Sequence, residues 1–227
     1  MKPNLGFATK EEEKPSLLGM LVNPGKQYAL IRQTPLVWAP LTLMMVIFAV
    51  LVGFKADFYL NHPYLSDEWI RLTMSAPVLD AQSLKPLFIA ASVAAAWLAY
   101  LSALLLSTGI AWLTIRLFSR IVQFRSLFSF HLHLSVLYAL SLALNVLGVA
   151  GFGLDPRIPV TSLAGIIPAS GVLKGLLSAI EVFTIWALVL YAGGIREIAG
   201  LSKRQAWLIS LLFFLADLLL NVILAAS

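Results

Sequence analysis

The sequence predicts an all-α integral membrane protein: a bundle of five transmembrane helices preceded by an amphipathic interfacial helix. Three observations predict it. Five long runs are almost free of charge, whereas hydrophobic residues make up 60% of the 227-residue chain and mean hydropathy reaches +0.90. Each run meets the length of about 20 apolar residues that a helix needs to cross a hydrocarbon core of roughly 30 Å. Lys and Arg gather in the connections, where topology signals sit in membrane proteins.

The elements follow in chain order. Residues 1–14 are polar, carry Glu11, Glu12 and Glu13, and read as a disordered tail on the cytoplasmic side. They lack an early apolar core, so no cleavable signal peptide is expected. Residues 15–35 mix apolar side chains with Lys26 and Arg32, and Asn23-Pro24-Gly25 marks a turn or helix start. An interfacial helix is expected there, with Tyr28, Leu30 and Ile31 toward lipid and the cations toward headgroups. The alternative is a solvated lead-in to the first span.

The five-helix domain covers 36–227, with spans at about 36–54, 87–115, 127–150, 175–195 and 206–226. The second run, Leu87 to Ile115, is rich in small residues (Ala90, Ala91, Ala94, Ala95, Ser102, Gly109). Small residues let membrane helices approach closely, so this helix is expected at the centre of the bundle. The loop at 55–85 carries Ser66-Asp67-Glu68 before Trp69, which reads as a short capped helix suited to an external partner. Gly and Pro crowd the connection at 151–175, which is expected to fold back partly into the membrane.

With the N-terminus inside, the cytoplasmic segments hold Lys2, Lys10, Lys14, Lys26, Arg32, Arg116, Arg120, Arg125, Arg196, Lys203 and Arg204, eleven cations against five on the other side. That excess predicts a cytoplasmic N-terminus and an external C-terminus in the plasma membrane. Of these, Lys26, Arg32, Arg116, Arg120, Arg196, Lys203 and Arg204 are candidate interfacial contacts to anionic lipid. The net charge of +5 is spread over several loops, which argues against nucleic acid.

Ionisable groups inside spans face the bundle interior and mark candidate sites. Glu181 is expected about six residues into the fourth helix, and Asp217 and Asn221 share a face of the fifth by i, i+4 spacing. With Asn145 of the third helix they form one candidate polar cluster. Two readings of it stand: a proton, cation or substrate site, or interhelical hydrogen bonding with Lys174 a candidate partner for the acids. His131 and His133 point to different sides of a helix at i, i+2, poor geometry for one metal, and hydrogen bonding near the interface is the expected role. No catalytic constellation, metal site or cofactor motif is present in the sequence, and there is no cysteine.

Three segments carry a resemblance. SLLGMLVNPGKQYALIRQTP (Ser16–Pro35), FRSLFSFHLHLSVLYALSLALNVLG (Phe124–Gly148) and IWALVLYAGGIREIAGLSKRQA (Ile185–Ala206) together resemble the bacterial branch of the Yip family, the Ypt/Rab-interacting-protein fold. The acidic Asp-Leu-Tyr-Gly-Pro motif of eukaryotic members is absent, so Rab binding does not carry over. The resemblance implies five spans, a cytoplasmic N-terminus and no enzyme activity. It implies a non-catalytic adaptor or accessory subunit that binds other integral membrane proteins. The resemblance further implies work beside an ABC-type efflux system in defence against antimicrobial peptides, as a family-level analogy. The competing expectations are a small transporter or channel built on Glu181 and Asp217, and a lipid-organising or envelope-stress protein.

Overall fold

The computed structural model describes residues 13–61, 81–154 and 158–226. The described residues form nine α-helices and a short 3-10 helix, with no strand. In order these are α1 (Leu17–Val22), α2 (Pro24–Gln33), α3 (Trp38–Asn61), α4 (Ala81–Leu117), α5 (Phe124–Leu134), α6 (Val136–Phe152), α7 (Gly171–Ala179), α8 (Val182–Ala199) and α9 (Lys203–Ala226). Five stretches are long and apolar enough to cross a membrane: 38–58, 84–117, 124–152, 182–199 and 203–223. The chain is a multi-pass membrane protein. The expected helix after Ser66 and the 1–12 part of the tail lie outside the described residues.

The leading segment is two helices. Ser16 caps α1 by accepting from the Gly19 amide at 3.0 Å, and Asn23 both ends α1 and caps α2 ahead of Pro24. Gln27 reaches back to accept from the Ser16 amide at 2.8 Å and ties the two together. Tyr28 and Ile31 do not face lipid. They are buried on the bundle, where the Tyr28 hydroxyl donates to the Leu190 carbonyl at 2.9 Å. Two glycines on α8 admit this packing. A Cβ on Gly193 would come within 3.2 Å of the Tyr28 ring, and one on Gly194 would overlap the Phe130 ring. The apolar face of α2 is therefore spent on protein, and Leu18 and Val22 of α1 remain exposed for the interface.

The spans differ from the expected bounds wherever polar groups find local partners. Helix α3 continues past Lys55, because Asp57 pairs with Lys85 of α4 at 2.6 Å. Helix α4 has 37 residues, about 55 Å at ~1.5 Å per residue. It is peripheral rather than central, packing on α3 and α5. Span three is two helices joined at Ser135, whose hydroxyl donates to the Leu132 carbonyl at 2.6 Å and competes with the helical ladder.

The expected span 175–195 is corrected in the same way. Residues 171–179 form the separate helix α7, packed on α9, and α8 begins only at Val182. The break at Ile180 and Glu181 is non-helical, with Glu181 extended. It pairs with the preceding connection through Leu163 N to Ile180 O at 3.1 Å and Val182 N to Thr161 O at 3.4 Å.

The densest core lies toward the end of the bundle that carries α1 and α2. There Met20, Ile31, Ile115, Leu127, Phe130, Ile195 and Ile209 are fully buried. Toward the other end α7 packs on α9, while α4 makes no comparable contact with α9.

Candidate functional site: an intramembrane cavity and its polar rim

Helices α4 and α9 both line the interior, yet α4 packs on α3 and α5, and α9 on α7 and α8, without comparable contact between them. The space between holds a half-open cavity of about 500 Å³. That volume falls within the range of roughly 300–1,000 Å³ common for small-molecule sites. Phe48, Leu104, Phe213 and Leu220 supply apolar wall, while Tyr100, His131, Ser135, Tyr138, Tyr191 and Asp217 bring polar atoms.

The floor is a hydrogen-bonded chain. The Thr108 hydroxyl donates to the Leu104 carbonyl at 2.6 Å, which leaves its oxygen to accept from His131 Nδ1 at 3.1 Å. The other ring nitrogen, Nε2, then accepts from the Tyr191 hydroxyl at 3.4 Å. A neutral imidazole satisfies both ends with one proton. The same ring stacks obliquely against Tyr191 and Phe213 at 5.3 and 6.4 Å. Higher on the wall, the Tyr100 and Ser135 hydroxyls bond at 3.0 Å.

His133 faces away from this floor. Its Nδ1 donates to the Ser129 carbonyl at 2.7 Å, and its Nε2 is buried without a hydrogen-bond partner among the described residues. The two histidines thus serve different environments, as i, i+2 residues on a helix must. Among the described residues no group of three or more His, Asp and Glu side chains is placed to hold a metal.

Glu181 does not line the cavity but bonds to one residue that does, Thr184. It occupies the N-cap position of α8, with extended backbone, instead of lying inside a helix. Its Oε1 accepts from Ser141 of α6 and from Thr161 at 2.5 Å, and its Oε2 from Thr184 at 3.4 Å. One turn along α6 from Ser141, Asn145 accepts from the Val160 amide at 2.5 Å. Glu181 and Asn145 therefore hold the same piece of irregular backbone, residues 160–162, against the bundle.

The fifth helix contributes differently. Asn221 donates to the Asp217 carbonyl within its own helix at 2.9 Å and does not join Glu181 or Asn145. Asp217 turns its carboxylate to the cavity, within electrostatic range of Glu181 and Tyr138. Lys174 forms no ion pair with either acid among the described residues; the pairs present are Lys26–Glu13, Arg32–Glu197 and Lys85–Asp57.

Most of the described basic residues gather at the opposite end. Arg32 lies 3.9 Å from Glu197, the Arg116 guanidinium sits over the Trp112 ring at 3.8 Å, Arg196 is in the last turn of α8, and Lys203 and Arg204 open α9. Arg120 lies in the connection that returns α4 to α5. Cations in the last turns of α4 and α8 suit the helix dipole, whereas those opening α9 oppose it.

The hydroxyls of Tyr100, Thr108, Ser135, Ser141, Thr161 and Thr184 were not legible as site residues. Each is one of many hydroxyls in apolar runs, and only the packing selects it.

A family model described as the Yip1 domain matches residues 18–225. Membrane protein YknW of Bacillus subtilis (strain 168) is 31% identical over 219 residues, covering 94% of this chain and 90% of that protein. No solved structure gives a significant match.

Proposed function

This chain belongs to the Yip1 family of membrane proteins, and from that premise we propose that it is a non-catalytic accessory subunit that docks on the transmembrane helices of another membrane protein. The observation that carries this reading is the outer face of α4. Ala91, Ala94, Ala95 and Ser102 are exposed on it, and a Cβ at Gly109 would meet nothing within 4 Å, between exposed Leu87, Leu98, Leu105 and Leu113. The positions recur at helical spacing, so they form one stripe. The buried face of the same helix carries Leu104, Thr108, Ala111 and Ile115. Small residues earn their place in a membrane helix by close approach to another helix, and among the described residues nothing packs over this stripe.

The partner class we favour is the membrane subunit of an ABC-type efflux system acting against antimicrobial peptides, a family-level analogy. In this reading the protein lies in the plasma membrane with its N-terminus and basic end at the cytoplasmic leaflet. Residues Leu18, Val22, Leu117 and Ile121 are exposed at that end beside the cations, a combination suited to anionic headgroups.

Affinity purification from native membranes in mild detergent, with mass spectrometry of the eluate, tests the proposal. A stoichiometric membrane partner is expected, and recovery of the protein alone after crosslinking would overturn it.

A further inference from the structure

The geometry points to the cavity between α4 and α9 as a binding site for a cationic amphiphile, with an alkylammonium head at Asp217 and an aliphatic tail along the apolar wall. Five observations carry this. The cavity, about 500 Å³, is walled mainly by carbon and opens sideways, where α4 and α9 fail to close on each other. A ligand with a tail can therefore enter from the bilayer. Asp217 presents a carboxylate to it, and among the described residues no side chain donates to or pairs with that carboxylate.

The neighbouring acid, Glu181, already accepts from three hydroxyls, so Asp217 is the one left for a ligand. No Lys or Arg lines the cavity, and its one histidine uses both ring nitrogens. The wall beside Asp217 includes the rings of Tyr138, Tyr191 and Phe213. Aromatic faces and a carboxylate in a site of low dielectric recognise ammonium groups. An acid in a membrane interior is costly unless something neutralises it, and the two acids near Tyr138 bias that something toward a cation.

The head group has two possible sources: an amine-headed phospholipid such as phosphatidylethanolamine, or a free amphipathic amine. The site uses the inner face of α4 and the proposed docking uses its outer face, so failure of either claim leaves the other standing.

The test is binding of radiolabelled dodecylamine to the full-length protein in nanodiscs of phosphatidylcholine, with dodecanol as the uncharged control. Saturable binding at least tenfold tighter than dodecanol is expected. It should weaken at least tenfold in Asp217→Asn, and in Ser107→Phe, which fills the cavity without touching the acid. Size-exclusion profiles of the variants establish folding. Retained binding in both folded variants, or no preference for the amine over the alcohol, would overturn the site. Competition by phosphatidylethanolamine in the nanodisc assigns the head to a lipid. Its absence, with dodecylamine still bound, assigns it to a free amine.

Discussion

Glu181 is the residue on which the irregular backbone depends. Its carboxylate gathers hydroxyls from α6, from the 158–163 connection and from α8. Glu181→Ala strands those hydroxyls away from water, at a cost of about 1–3 kcal/mol. Glu181→Gln keeps an acceptor oxygen in place and should lose less than half as much. Thermal unfolding in detergent reads the difference, and equal losses would show that the carbonyl oxygen alone does not hold the connection. Gly194 is the second such residue. A methyl group there pushes Phe130, which is fully buried, out of its slot. Gly194→Ala should destabilise by about 1–3 kcal/mol in the same assay.

Tyr28 gives a pH dependence. Burial pushes its hydroxyl up to about 12, from the usual 10. Its folded pKa is raised, so its contribution is intact below pH 10 and is lost as pH climbs from 10 toward 12. Tyr28→Phe should remove that component of alkaline destabilisation, seen by unfolding at pH 9 and pH 11. At this scale the sequence was partly legible. The intramembrane acids and Asn145 stood out because charge and amide are rare in apolar runs. What each one touches was not legible, because Asn221 has a partner in its own helix and Glu181 found hydroxyls that resemble dozens of others.

Among the elements, the long apolar runs marked the spans because nothing but a membrane accommodates such lengths. Their ends were less visible. A charge such as Asp57 does not stop a helix when Lys85 answers it, and a run that continues through Ile180 still breaks there when the backbone bonds elsewhere. The place of α4 was misread for a physical reason: small residues signal a close neighbour but do not say whether it belongs to the same chain. The clustering of basic residues at one end gives a direct prediction of orientation. The chain has no cysteine, so Ser202→Cys, between α8 and α9, and Ser170→Cys, before α7, act as single reporters. An impermeant maleimide added to intact cells should label position 170 and spare 202. The reverse pattern would invert the proposed topology.

For the whole molecule, the bundle is tightly packed where α1 and α2 clamp it and open where α4 and α9 stay out of contact. A closed end gives a rigid platform, and an open end with a large unpartnered helix face gives a surface that lipid or another protein must cover. The docking claim is the centre of this account, and it makes opposite faces of one helix behave differently. Ala95→Leu with Ser102→Leu changes only exposed positions, so folding should be retained while partner recovery falls at least tenfold. The most direct measurement is photocrosslinking in living cells from a benzoylphenylalanine at position 98, on the outer face, against one at position 46, exposed on α3 and outside that stripe. The account predicts a discrete adduct with a second membrane protein from position 98 and none from position 46. Adducts with lipid alone from position 98, in cells where the protein is functional, would contradict it.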